Sequence, residues 1–435
     1  MAGEKWLQVF QVGKETTPGT AVPATRKMYW MGDLMRTRAV NLVKVASGTR
    51  DNQRDAKLRS VTAGAKATQA VSADELIEPL LACVQGGVTP TTANGCSTWV
   101  FKPGATLDSQ TVEYFDAYRG LQLRGALVDE IALSGVVSGD SKADITYFAR
   151  DAIFNPMSGT GGVSEVQSVG LGAASAGTVV LTFNGYSTPA LAYNAANATV
   201  QAALQALPSI GAGNVTITGG PFPAALTVTF AGGLAKQAGL ALIAGVGTGL
   251  TGGAVAISRT TAGVNPTLLA DRVPNFFPGW NMQLYVDPFG GTPGITNLAG
   301  SFLNYTLAIK NHAVRKYFGD NTTATGAIVL GELEVHGEIT LEGNAAGFAE
   351  YNNWDAGTKR MVRVVLGNSQ YDAVIGTSAN KPQVWLDIPC AWTAVDLTPE
   401  DAGTKIYKFT FDYVYDAVNA YGLQITTFSS RATAY

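Results

Sequence analysis

The sequence predicts a mainly β protein: two sandwich- or barrel-like β domains, each with a short helix and a long arm, on either side of a small β-rich domain with one helix. Three observations carry this reading. Apolar residues alternate with polar ones in segment after segment, the period that puts every second side chain on one face of a strand. The order strand, arm, helix, strands occurs twice. Charge is scarce, at 14% of 435 residues against ~25% in an average soluble domain, and residues 163–264 carry only Glu165, Lys236 and Arg259.

The first domain, 1–162, opens with a strand at Trp6–Val12. A charged arm follows from Arg36 to Val71. Ser72 with Glu75 three residues on has the spacing of a capping box, ahead of a helix whose apolar residues are Leu76, Ile77, Leu80, Leu81 and Val84. Pro79 should kink or split it. Gly86-Gly87 ends it, and strands follow at Ser97–Lys102, Val112–Phe115, Leu127–Val137 and Asp144–Phe148.

Small-residue linkers at 158–162 and 260–263 bracket the second domain, 163–264. Val179, Leu181 and Phe183 alternate, as do Val215 and Ile217, and Leu226, Val228 and Phe230. Between them Asn197 reads as the cap of a helix with one apolar face, Val200, Ala203, Leu204 and Leu207, stopped by Pro208.

The third domain, 265–435, repeats the order of the first. A strand at Met282–Asp287 precedes a two-stranded arm from Phe302 to Glu342. A helix capped by Asn344 carries Phe348 and Tyr351. Strands follow at Arg360–Leu366, Val384–Ile388, Ile406–Tyr415 and Leu423–Phe428. Residue identity between the two outer domains is low, so their kinship rests on element order.

Composition narrows the function. A net charge of −3 argues against bulk counterion-release binding of DNA, which needs a basic face. The start, MAGEKWLQVFQVG, lacks a basic and then apolar leader. Cys83, Cys96 and Cys390 are few and without metal or disulfide spacing. Ala238–Ser258 is uncharged over a spanning length, but its Gly, Thr and Ser content fits two short strands around a turn, so no membrane span is expected. Gly247-Thr-Gly-Leu-Thr-Gly252 matches a dinucleotide fingerprint, yet a strand rather than a helix follows it. Neither His312 nor His336 sits in a nucleophile or zinc-protease context. The chain reads as a non-enzyme with no catalytic residues, cofactor or metal.

Three patterns remain. Glu332, Glu334, His336, Glu338 and Glu342 alternate with Leu333, Val335, Ile339 and Leu341, an acidic face backed by an apolar one. This is either a solvated strand or the wall of a channel that repels phosphates. Arg36, Arg38, Lys44, Arg50, Arg54, Lys57 and Arg59 outnumber Asp51 and Asp55 on the first arm. With no interleaved aromatics for base stacking, the arm is either a simple solvated loop or one that reaches onto the net-acidic C-terminal half of a neighbouring subunit, which it suits better than nucleic acid. Tyr407, Phe409, Phe411, Tyr413 and Tyr415 form one row, expected to face the core.

The segment Gln11-Val-Gly-Lys-Glu-Thr-Thr-Pro-Gly-Thr-Ala-Val-Pro-Ala24 resembles the N-terminal segment of siphophage major tail, or tail tube, proteins, as do Val128–Ser134 and Ala143–Phe148. The middle domain is similar to the β-rich, often immunoglobulin-like decoration modules of phage structural proteins. The resemblance implies two tail-tube-type domains and a structural virion protein, made in the host cytoplasm and assembled into the virion tail. Its copies would stack as rings whose acidic lumen, lined in part by Glu332, Glu334, Glu338 and Glu342, conducts double-stranded DNA without reading it. It implies tape measure and tail-end proteins as partners. With two tube domains per chain, a pseudo-sixfold trimer is favoured over a hexamer. The other reading is an extracellular carbohydrate-binding or adhesin β protein.

Overall fold

The computed structural model describes residues 8–44, 53–115, 120–154, 157–272, 274–319, 325–401 and 403–435. The protein is mainly β, in several antiparallel sheets, with three α-helices among these residues. In the first segment the strands are β1 (Val9–Lys14), β2 (Arg26–Met28), the long hairpin β3 (Met31–Lys44) and β4 (Gln53–Ala70), then β5 (Thr91–Ala93), β6 (Cys96–Phe101), β7 (Gln110–Phe115), β8 (Gly120–Val136), β9 (Ser141–Ala149) and β10 (Asp151–Phe154). Trp6, expected in the first strand, lies outside the described residues. Helix α1 (Ile77–Cys83) is buried along its whole length.

The expected capping box at Ser72 does not form. The helix begins at Ile77 without a side-chain cap, because the Glu75 carboxylate is taken elsewhere. It accepts from the Tyr29 N–H at 3.1 Å and pairs with Arg272 at 2.7 Å. Glu78 pairs with Arg26 at 3.1 Å and with Arg431. Both carboxylates are fully buried, so this cluster ties the N-terminal strands, the helix, the chain after the middle segment and the C-terminus together. Burial pushes the Glu75 carboxyl up against the pull of Arg272, and lowers Arg26 to about 10. Removing one partner from such a pair costs ~3–5 kcal/mol. Pro79 falls in the first helical turn, where its missing N–H has no intrahelical partner to lose, so the expected kink is absent.

The middle segment is joined by two chains running side by side: β11 (Gly159–Thr160) pairs with β20 (Thr267–Leu268), and Val163 with Val264. Between them, β12 (Val166–Gly170), β16 (Val215–Gly219), β17 (Leu226–Phe230) and β19 (Ala256–Thr261) form one sheet. β13 (Ala176–Phe183), β14 (Tyr186–Ser187), β15 (Leu191–Ala192) and β18 (Ala244–Thr251) form another. The uncharged run thus becomes β18 and β19, and no described helix is long and apolar enough to cross a membrane. Helix α2 (Asn197–Gln205) buries Val200 and Leu204. Asn197 is its first residue rather than its cap, and its side chain donates to the Gly219 carbonyl. The segment has a core of its own, with Phe183 against Phe230 at 5.3 Å.

The last segment comprises β21 (Gln283–Pro288), β22 (Phe302–Lys310), the short hairpin β23 (Val314–Lys316) and β24 (Ala327–Val329), β25 (Glu334–Glu342), α3 (Ala345–Asp355), β26 (Arg360–Gly367), β27 (Gln383–Asp396), β28 (Glu400–Asp401), β29 (Thr404–Tyr413) and β30 (Gln424–Ser429). Asn344 caps α3 as expected, its Oδ1 accepting from the N–H groups of Ala346 and Gly347. The stretch read as an arm is different. Over most of its length β22 pairs with β25 inside the central sheet, and only β23 and β24 extend beyond it. Tyr415 also leaves its row: the strand stops at Tyr413, and Tyr415 is exposed.

The outer segments repeat one pairing scheme. In the first, β1 pairs with β7, β7 with β8, β8 with β10 and β9, β9 with β4, and β4 with β3. In the last, β21 pairs with β26, β26 with β27, β27 with β30 and β29, β29 with β25, and β25 with β22. Even the bulge recurs. It follows Val128 opposite Tyr147 in β8, and Trp392 opposite Phe411 in β27. One hydrophobic core runs through both segments and excludes the middle one.

Two predictions follow from this division. Phe183→Ala removes a buried ring, a loss of ~3–5 kcal/mol. Calorimetry should show the middle segment's transition shifted down and the main one unmoved. Asp287, though burial opposes its charge, is held below the usual carboxylate range by N–H donors from Ile295, Thr296 and Gly294. A depressed folded pKa adds stability above the unfolded value and loses it as pH falls through the folded one. Asp287→Ala should therefore cost ~1–3 kcal/mol at pH 7, and urea titrations should find a smaller difference at pH 3.

Candidate functional site

The feature that the rest of the molecule is arranged around is an eight-stranded antiparallel sheet in the order β3-β4-β9-β8-β22-β25-β29-β27. Alternation gives it two unlike faces. One is the core, with Ile131, Leu133, Ile145, Leu307, Ile309, Val335, Ile339, Phe409 and Phe411 all buried. The other carries Asp33, Glu130, Asp144, Glu334, Glu338, Glu342, Asp396 and Asp412 against Lys66, Lys142, Lys310 and Lys408.

Of the candidate acidic residues, Glu334, Glu338 and Glu342 lie on β25 on this second face, while the exposed Glu332 precedes the strand. The acidic row is not left to repel itself. Lys408 reaches Glu338 at 2.8 Å, His312 meets Glu334 at 2.6 Å, His336 meets Asp412 at 2.6 Å, and Lys310 approaches Glu130 at 3.5 Å. Exposed pairs of this kind are worth ~0–1 kcal/mol each. They relieve like-charge crowding and leave the face net acidic. Sequence alternation located this row, but the pairs along it join residues 22 to 76 positions apart.

The seam between the two repeats is the β8–β22 ladder, from Lys310 opposite Glu130 to Asn304 opposite Val136. Leu307 faces Leu133 and Ile309 faces Ile131, all buried. Just beyond β22, Asn311 Nδ2 donates to the carbonyls of Val128 and Cys83, both at 2.9 Å. The Ala313 N–H donates to Asp129 at 2.7 Å. Arg315 lies 3.4 Å over the Phe148 ring and donates to the Ala63 carbonyl at 2.6 Å. The last segment therefore lays a strand and a short hairpin onto the first. Nothing in the sequence marked Asn311 for this; its signal is only its place after an alternating run.

The two ends of the sheet differ from the seam. Among the described residues, β3 pairs only with β4, and residues 391–396 of β27 pair only with β29. Past Ala63 the β3–β4 hairpin leaves the sheet, and beyond the buried Val61 most of its described side chains are exposed. Arg36, Arg38, Lys44 and Lys57 stand exposed on it, Lys57 at 3.7 Å from Asp55 of the same hairpin. Arg54 and Arg59 lie on β4, where only the backbone is described, and Arg50 falls outside the described residues. Apolar side chains stand exposed beside these charges: Met31, Met35, Val40 and Leu42 on β3, and Leu397 just past β27.

The two histidines pair with carboxylates on the exposed face and have no nucleophile among the partners named above. Among the described residues, no group of three or more His, Cys, Asp and Glu is placed to hold a metal ion. Burial pushes the Cys83 and Cys390 thiols far up, away from a reactive thiolate. The apparent dinucleotide motif lies in and just after the strand β18.

No protein-family model matches the chain, and no curated protein is detectably similar to it in sequence.

The seam makes its own prediction. Asn311→Ala strips two buried carbonyls of a donor, at a cost of ~1–3 kcal/mol. Chemical denaturation should show that loss in the main transition, and Asn311→Asp, which cannot donate at neutral pH, should behave no better.

Proposed function

We propose that this chain is a structural subunit that polymerises through its sheet edges into stacked rings, and that these rings form the tail tube of a long-tailed bacteriophage. One observation carries the reading. The chain joins its own two repeats by an antiparallel seam, and it presents at its ends the same two strands that the seam joins: β3 corresponds to β22, and β27 to β8. A sheet with a free donor strand at one end and a free acceptor at the other pairs with further copies of itself. A heterologous contact of that kind gives a closed ring when the rotation closes.

On this reading the two outer segments are tail-tube-type domains, and the middle one is a decoration module on the outside. Six tube domains per ring, the number the resemblance implies, then need three chains. The face with Glu334, Glu338 and Glu342 lines the lumen. Its net acidic, ion-paired surface offers phosphates no basic groove to bind, so double-stranded DNA passes without sequence recognition. The chain has no catalytic role. Its partners are further copies of itself, with tape measure and tail-end proteins as the resemblance implies, and it assembles in the bacterial cytoplasm into the virion tail.

The carbohydrate-binding reading has one observation in its favour, the exposed aromatic pair Trp280 and Tyr371 at 6.0 Å. A glycan array decides for or against it directly.

Negative-stain microscopy of purified protein should show rings or tubes, and native mass spectrometry should give three chains per ring. Leu34→Asp, on the free edge strand, should leave a folded monomer and reduce assembly at least tenfold. Discrete monomers from the wild-type chain at all concentrations would reject the proposal.

A further inference from the structure

Helices α1 and α3 occupy matching places in the two repeats, yet their surroundings differ. Every residue of α1 is buried. On α3, Phe348 is 53% exposed. It stacks on Tyr351 at 6.0 Å, and Tyr351 on Tyr407 at 6.2 Å, so the helix presents an aromatic stack with one open face. The internal seam accounts for part of the contrast. The chain leaving β22 reaches the last turn of α1, where Asn311 binds the Cys83 carbonyl. Among the described residues no segment performs that service for α3, since the strand that would do so is β3, and β3 stands at the other end of the sheet.

The recurring bulge fixes which residues correspond. Tyr147 opposes Val128 just before one bulge, and Phe411 opposes Trp392 just before the other. Ala65 pairs with Tyr147, and Gly337 with Phe411. Leu34 pairs with Ala65, and Leu307 with Gly337. Leu34 thus stands where Leu307 does, Arg36 where Ile309 does, and Arg38 where Asn311 does. By the same count along the partner strand, Leu397 stands where Leu133 does and Val395 where Ile131 does.

Resting on the ring reading, we infer that the base of the β3–β4 arm of one copy lies along residues 391–397 of the next copy and over the aromatic face of its α3. The register is that of the internal seam, with Leu34 opposite Leu397 and Arg36 opposite Val395. The partner is a second copy of this chain. The chemistry of the two edges agrees. Leu34 and Leu397 restore the buried leucine pair that Leu307 and Leu133 make within the chain. Arg36 and Arg38 meet an edge whose exposed charges include Asp355, Glu400 and Asp401, with Lys405 opposite Glu400; Asp396 lies on the other face, opposite Lys408. Arg38 in the place of Asn311 brings donors toward the C-terminal end of α3, where a cation is favoured.

Cysteine pairs test the register. Directly opposed residues in an antiparallel ladder have Cα atoms ~4.5–5.5 Å apart, within disulfide reach. The three native cysteines are buried and give little background. A Leu34→Cys, Leu397→Cys double variant should cross-link between copies on mild oxidation, in a ladder that ends at three chain masses. A Leu34→Cys, Thr393→Cys control, displaced by ~13 Å along the strand, should not. Phe348→Asp, exposed in the single chain, should leave its melting temperature unchanged and reduce ring formation at least tenfold. Rings that form with the displaced pair cross-linked, or unaffected by Phe348→Asp, overturn this register and leave the ring reading standing. Absence of any ring from the wild-type chain overturns both.

Discussion

Everything in this molecule depends on backbone hydrogen bonds running without interruption from one repeat into the other. The β8–β22 ladder turns two four-stranded sheets into a single sheet, and a single core lies beneath it. β8 has to serve two ladders in succession, pairing with β7 and β10 in its first half and with β9 and β22 in its second. Gly125, at φ +60°, sits at that change of partners, with the Arg150 side chain against it. A side chain there would be strained by the backbone and crowded by Arg150.

The same seam decides where a chain of low charge buries its apolar edge residues and where it leaves them open. Where the seam closes, apolar edge residues such as Leu307 and Ile309 are buried. Where the sheet is open, Met31, Met35 and Leu397 are exposed. Natural proteins usually protect open edges with charge, bulges or cover. Here the exposed part of β3 sets Arg36 and Arg38 among Met35, Val40 and Leu42. That composition resists indiscriminate pairing while leaving an apolar surface for one complementary partner, the role our proposal gives it.

Strand periodicity was legible because it is local. The alternation through Glu334–Glu342 and Tyr407–Tyr413 and the Asn344 cap each depend on residues within one turn or strand of each other. What could not be read depends on partners far away. The spacing of Ser72 and Glu75 is that of a cap, but Arg26, Arg272 and the Tyr29 N–H are stronger claimants for that carboxylate, and they lie 46 to 197 residues off. The segment 302–342 has the pattern of a long hairpin either way. Only the presence of β8 and β29 on its two sides makes it the middle of a sheet instead of a free arm. The acidic row was likewise visible, and its compensation by Lys408, His312 and the Asp412–His336 pair was not.

The two halves of the repeat have diverged most where a chain end and a chain middle must differ. An internal seam is formed within one chain, at a high effective concentration, and tolerates a specific, uncharged device such as Asn311 reaching two carbonyls. A seam between copies must also be found from solution, and there opposite charges accelerate encounter and exclude like-charged surfaces. On the proposed reading, Arg36 and Arg38 in place of Ile309 and Asn311 are the substitutions that distinction calls for, meeting an edge that carries Asp355, Glu400 and Asp401. On the proposed reading, the charge imbalance between the segments, 17 basic and 16 acidic residues in 1–162 against 11 and 16 in 265–435, has a physical origin: the first repeat would supply the basic arm, the last the acidic edge that receives it, and the nearly uncharged middle segment would take part in neither.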